Sequence, residues 1–176
     1  FSIPQFQFVD QPYTRMGNLT APVSVRDIMV VNDTLWAVTR SGIAYANINN
    51  SLPISSNWNT FTTGNSVLIT NKMNCLAYFD SQVYMGADSG MYYFNKDTRL
   101  LTAYQPVYNG NPLIDPVGKM TVNGDFLYLS AYTLDGTYKF NHRIFRVNRN
   151  NINNAELIES GTEVNDLKVL PQGDLL

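Results

Sequence analysis

The stretch GMYYFNKDTRLLTAYQ, Gly90 to Gln105, sets aromatic residues on both sides of a charged turn, and whether it stands alone decides the fold. It does not stand alone. Working outward, three segments fall into register: TLWAVTRSGIAYANI from Thr34, SQVYMGADSGMYYFN from Ser81, and DFLYLSAY with HRIFRVN from Asp125. Each opens on an apolar–aromatic pair, Leu35–Trp36, Val83–Tyr84 and Leu127–Tyr128, at intervals of 48 and 44 residues, and Leu175–Leu176 follows 48 residues later. An apolar or alternating run closed by a polar turn precedes each pair: VRDIMVVND, MNCLAYFDS, GKMTVNGD and NDLKVLPQGD. Self-similarity with a period in the forties is the signature of four-stranded propeller blades.

Strand periodicity gives the anatomy of one blade. The first strand is short and apolar because neighbouring blades cover both of its faces. Asn32–Asp33, Asn123–Gly124 and Gln172–Gly173 supply tight-turn chemistry into the second strand, whose large aromatic fills the wedge between blades. Ser41–Gly42 and Ser89–Gly90 supply a residue able to take positive φ before the third strand, IAYANI or MYYFN. WNTFTT and LLTAY read as fourth, outermost strands. No long stretch keeps a 3.6-residue apolar period, so essentially no helix is predicted. The fold class is therefore all-β: a partial β-propeller of about three full four-stranded antiparallel blades with strands of incomplete terminal blades. The segments run as 1–23 (outer strand and loop of a closing blade), 24–63, 72–105 and 117–160 (blades), and 164–176 (start of a further blade). Because a ring needs four or more blades, the reading expects the remaining ones from a longer chain or a second chain.

GMYYFNKDTRLLTAYQ followed by VGKMTVNGDFLYLSAY resembles the regulator-propeller repeat found in sensor domains of bacterial hybrid two-component systems and related secreted proteins. Leu35–Trp36, Gly42, Gly90, Met91–Tyr92, Lys96–Asp97–Thr98 and Gly124 match that repeat, while Arg99 stands where it usually has glycine. The resemblance runs from about Ser24 onward. It implies a propeller and, for the sensor members, a ligand-sensing ectodomain that needs a transmembrane helix and a signalling module beyond Leu176.

Composition narrows the function classes. Charged residues make up 15% of the 176 and the net charge is −2, which gives no electrostatic reason to expect nucleic acid. No run of 18 apolar residues exists, so no membrane-spanning helix is predicted in this segment. The single cysteine, Cys75, excludes an internal disulfide and a cysteine metal cage, and its apolar setting reads as a buried small hydrophobe. Low charge with 21 asparagines suggests an exported surface, extracellular, cell-surface or periplasmic. Sequons begin at Asn18, Asn32 and Asn49, about the number chance supplies in so Asn-rich a chain.

Propellers usually bind where the fourth-to-first and second-to-third strand loops converge on the central channel. Arg40 and Asp88 fall in those loops, and a third-blade insertion, AYTLDGTYKFNH, adds Tyr132, Asp135, Tyr138 and His142. Aromatic faces beside amides and hydroxyls suit sugars or protein surfaces; the competing reading is an extended hairpin whose aromatics pack on the next blade. His142 is the only histidine, and without a nucleophile-elbow motif it is expected to be structural. No acidic cluster matches a calcium loop, so neither metal nor cofactor is expected. The sequence thus points first to a non-catalytic exported platform for protein or glycan partners. The alternatives are a ligand-sensing ectodomain and, third, a propeller-type lyase or glycosidase using His142 with Tyr132 or Tyr138.

Overall fold

The structure is a computed structural model that describes residues 15–19, 23–134, 140–161 and 164–170. Two-residue turns close the first hairpin of each described blade: Asn32–Asp33 as read from sequence, Asp80–Ser81, and Gly124–Asp125, one residue beyond the expected Asn123–Gly124, while Gln172–Gly173 lies outside the described residues. Val31 pairs with Thr34, Phe79 with Gln82 and Asn123 with Phe126, so Asn32, Asp80 and Gly124 occupy the same first turn position. All three take positive φ, near +50°, as tight antiparallel turns require.

Each hairpin continues as a meander. The first blade contains β1 (Val25–Val31), β2 (Thr34–Thr39), β3 (Gly42–Asn47) and β4 (Asn59–Phe61). The second contains β5 (Met73–Phe79), β6 (Gln82–Ala87), β7 (Gly90–Asn95) and β8 (Leu100–Tyr104). A short arm, β9 (Val107–Tyr108) and β10 (Asn111–Pro112), precedes the third blade, β11 (Val117–Asn123), β12 (Phe126–Leu134), β13 (Phe140–Asn148) and β14 (Asn151–Ser160). Among the described residues the only helical element is a 3₁₀ turn at Ser55–Asn57. The chain is a partial β-propeller, with no closed barrel. First strands stand side by side at the axis, and the sheets face one another across apolar seams.

The repeated aromatic fills those seams. Trp36 lies buried between the first two blades, stacked on Tyr45 at 4.6 Å and tilted against Phe94 of the second blade at 4.8 Å. Tyr84 is buried in the second seam with Leu127, Phe145 and Val147 of the third blade, and burial pushes its phenol up to about 12. Tyr128 closes the third blade against Leu167, the start of the next repeat.

One feature departs from the sequence reading. Asn111–Pro112, between the second and third blade segments, forms β10, which pairs with β9, and β9 lies parallel to β14 through Val107 and Asn154. The third sheet is therefore six-stranded and mixed rather than four-stranded, with the proline at its outermost edge, where a missing N–H costs no ladder bond. The third-blade insertion lengthens a regular hairpin: β12 and β13 stay in register from Phe126–Asn148 to Leu134–Phe140. The expected outer strand within 1–23 falls mostly, and the further blade at 164–176 partly, outside the described residues.

Candidate functional site

A β-bulge recurs at one place in every blade. Register slips between Val25 and Asp27, between Met73 and Cys75, and between Val117 and Lys119, so Arg26, Asn74 and Gly118 are the unpaired extra residues. A bulge frees its residue from strict in–out alternation and bends the strand. Here it brings all three residues to the lining of one cavity, at the end of the wheel where the β2–β3 and β6–β7 turns lie.

That cavity, about 260 Å³, is lined by Arg26, Asn74, Gly118, Lys119, Ser130, Tyr132, His142, Val164 and Asn165. Every described blade contributes, and so does the start of the next repeat. Tyr132 of β12 faces His142 of β13 directly across the ladder, the rings 5.6 Å apart and tilted by 37°. Burial raises the Tyr132 phenol above its usual range; the Asp88 carboxylate adds to the effect, and Arg40 and Arg26 oppose it.

Beside the cavity a polar clamp joins the blades. Arg40, in the β2–β3 turn, donates two parallel bonds to the Asp88 carboxylate, both 3.1 Å, and a third to Asn74 Oδ1 at 2.9 Å. Asn74 Nδ2 donates to Asp88 Oδ1 and to the Val117 carbonyl, each at 3.0 Å, so one amide ties blade one to blade three. Asp27 repeats the motif one seam back, accepting from the Leu76 backbone N–H at 2.8 Å. The bidentate Arg–carboxylate fork is the strong form of such a contact, weakened here by partial exposure of both partners.

Four expected site residues are thus brought together, in two roles. Tyr132 and His142 line the cavity; Arg40 and Asp88 face each other behind it and hold the seam. Asp135 and Tyr138 lie outside the described residues. Asn18, Asn32 and Asn49 are all exposed. Sequence reading missed Arg26, Asn74, Gly118, Lys119, Ser130 and Asn165. The only available signal was positional, because residues 26, 74 and 118 precede the apolar run of each repeat by the same step. Among the described residues no cluster of three His, Cys, Asp or Glu could hold a metal. Cys75 is buried in the second seam, and burial pushes its thiol up to about 12.

No family model matches the chain, and no curated protein matches it either. Solved structures do. Two structures of the extracellular domain of BT4673 from B. thetaiotaomicron, assigned in one to a one-component and in the other to a hybrid two-component system, superpose with a TM-score of 0.68. Identity is 15%, and the match covers 94% of this chain and 20% of the other. The extracellular domain of BT3049, a hybrid two-component system of the same organism, matches 77% of this chain at 13% identity with a TM-score of 0.46. This chain spans about a fifth of the BT4673 ectodomain. The likeness to BT4673 shows the fold.

Proposed function

We propose that this chain is part of an extracellular ligand-sensing propeller, and that the axial cavity is its ligand site. The observation that carries the reading is the convergence of the three bulge residues, Arg26, Asn74 and Gly118, with Tyr132 and His142 on one concave, polar surface. A ligand there touches every blade at once. Its binding energy can therefore bias the blades' relative packing, which is what a sensor must transmit. The fold shared with the BT4673 ectodomain supports the same reading. A thermal-shift panel of small sugars, sugar acids, amino acids and nucleosides tests it. Hits should stabilise the wild type and lose that effect in Tyr132→Ala or Asn165→Ala; hits that bind these variants equally well would refute the cavity as the site.

We read the site as acting by binding rather than by catalysis: of the candidate sets, His142 with Tyr132 or with Tyr138, only the first lies among the described residues, and no carboxylate among those residues lines the cavity beside it.

An assembly role is favoured by one further observation. Ile28 is 62% exposed on β1, whereas the equivalent Leu76 and Met120 are 6% and 9% exposed because a preceding blade covers them. The occupant fitting this face is another blade of the same kind, presenting a second-strand aromatic as Trp36 and Tyr84 do. Ile28→Asp should leave this chain's own unfolding unchanged while abolishing association with a partner carrying such a blade. A stability loss without any change in association would refute it.

A further inference from the structure

We infer that the axial cavity takes a small organic anion, its charged group held between Arg26 and Lys119 and its body lying against Tyr132, His142 and Ser130. The inference rests on the ligand-site reading above and gives it a ligand class.

The lining is cationic in a chain whose net charge is −2. Arg26 and Lys119 enter from different blades, and no carboxylate is among the described residues that line the space. The nearby carboxylates are already engaged. Asp88 is held by Arg40 and Asn74, and Asp27 accepts the backbone N–H groups of Ile28 and Leu76. Asp166 pairs with Lys168 at 3.6 Å on the exposed surface. Arg26 and Lys119 make no ion pair with any described residue. Lys119 also acts on the Asp166 carboxylate, but beyond ion-pair distance, so two cations on one concave lining still leave a positive local potential that an anion would meet. An Arg fork with a Lys point charge is a donor set suited to a carboxylate, sulfate or phosphate.

The rest of the wall selects for more than a bare ion. Ser130 is 1% exposed, a buried hydroxyl on the cavity surface, and Asn165 lines the same space. Tyr132 and His142 supply ring surface. Hydroxyls and amides beside aromatic rings match a compact polyhydroxylated body. Monosaccharide size fits the 260 Å³ available.

Calorimetric titration with D-galacturonate and D-galactose, which share a ring and differ by one carboxylate, tests this on the intact chain. Galacturonate should bind at least about tenfold more tightly than galactose, as the loss of a charge-assisted contact predicts. Arg26→Gln and Lys119→Gln should each lower galacturonate affinity by about five- to tenfold, and raised salt should do the same. Lys96→Gln, an equal change of charge at an exposed turn away from the cavity, should have no effect. Equal binding of both sugars that is lost in Tyr132→Ala would overturn the anion while leaving the site intact. Galacturonate binding that survives Tyr132→Ala, Arg26→Gln and Lys119→Gln alike would overturn site and anion together. Absence of galacturonate binding at millimolar concentration would overturn the anion as well.

Discussion

Gly86→Ala tests whether the seam between the second and third blades is as tightly packed as its geometry states. Gly86 sits in β6 where β11 of the next blade crosses behind it. A Cβ there would stand 2.6 Å from Cys75 Sγ, 2.9 Å from Val117 Cγ1 and 3.0 Å from the Val117 carbonyl oxygen. The first two obstacles are side chains, but the third is backbone and can move only by opening the seam. Overpacking of this kind costs about 1–3 kcal/mol, and the fixed carbonyl puts Gly86 toward the upper end. Alanine recovers about 0.4–1 kcal/mol by restricting the unfolded chain. A net loss of about 2 kcal/mol should remain, lowering Tm by roughly 4–8 °C for a chain of this size. Urea unfolding followed by the fluorescence of Trp36 and Trp58 measures it directly. Cys75→Ala removes the nearest obstacle, so its combination with Gly86→Ala should fall short of additivity by about 1 kcal/mol. A neutral Gly86→Ala, or a strictly additive pair, would refute the packing argument.

Three further outcomes follow from the same geometry. Asn74→Ala breaks the bonds to Arg40, Asp88 and the Val117 carbonyl and should cost about 2 kcal/mol in urea unfolding, after allowance for their partial exposure; a loss below about 0.5 kcal/mol would show that the clamp is decorative. Tyr104→Phe removes the hydroxyl that donates to the Ile152 carbonyl across the second seam and should cost about 1 kcal/mol by the same measurement, with an unchanged value counting against the contact. The Cys75 thiol, pushed up by burial from 9.0 to about 12, should resist alkylation at pH 8 until the chain unfolds. Its folded pKa is raised, so the associated stability is complete below pH 9 and is lost as pH climbs from 9 toward 12. Between pH 9 and 10 the wild type should lose about 1 kcal/mol more than Cys75→Ala, and parallel pH profiles would contradict that.

Much of the fold was legible because a propeller repeats its own instructions. Leu35–Trp36, Val83–Tyr84 and Leu127–Tyr128 recur since each described seam needs the same wedge, and glycine after Ser41 and Ser89 recurs since the second turn of the first two blades leads into positive φ. The arm at Val107–Pro112 was not legible. It is too short to show a period, and its partner in the sheet, Asn154 of β14, lies far along the chain. The candidate site was half legible. Tyr132 and His142 drew notice because they sit in an insertion. Arg26, Asn74 and Gly118 share no chemistry, and a strand pattern read two residues at a time has no sign for a bulge. Arg40 and Asp88 lie at the same end of the wheel as the cavity, but their charges are spent on each other.

The bulge carries one further consequence. Wherever a side chain belongs to the alternating ladder, its identity is constrained by what it packs against, and change there is punished. The unpaired positions 26 and 118 escape that pairing rule, whereas Asn74, the third bulge residue, is held by its bonds to Arg40, Asp88 and the Val117 carbonyl. If the proposed ligand site holds, recognition at positions 26 and 118 is written in other letters than the architecture of the same strands. A lineage, or an engineer, can rewrite what the mouth of the wheel accepts while leaving alone the code that makes it a wheel.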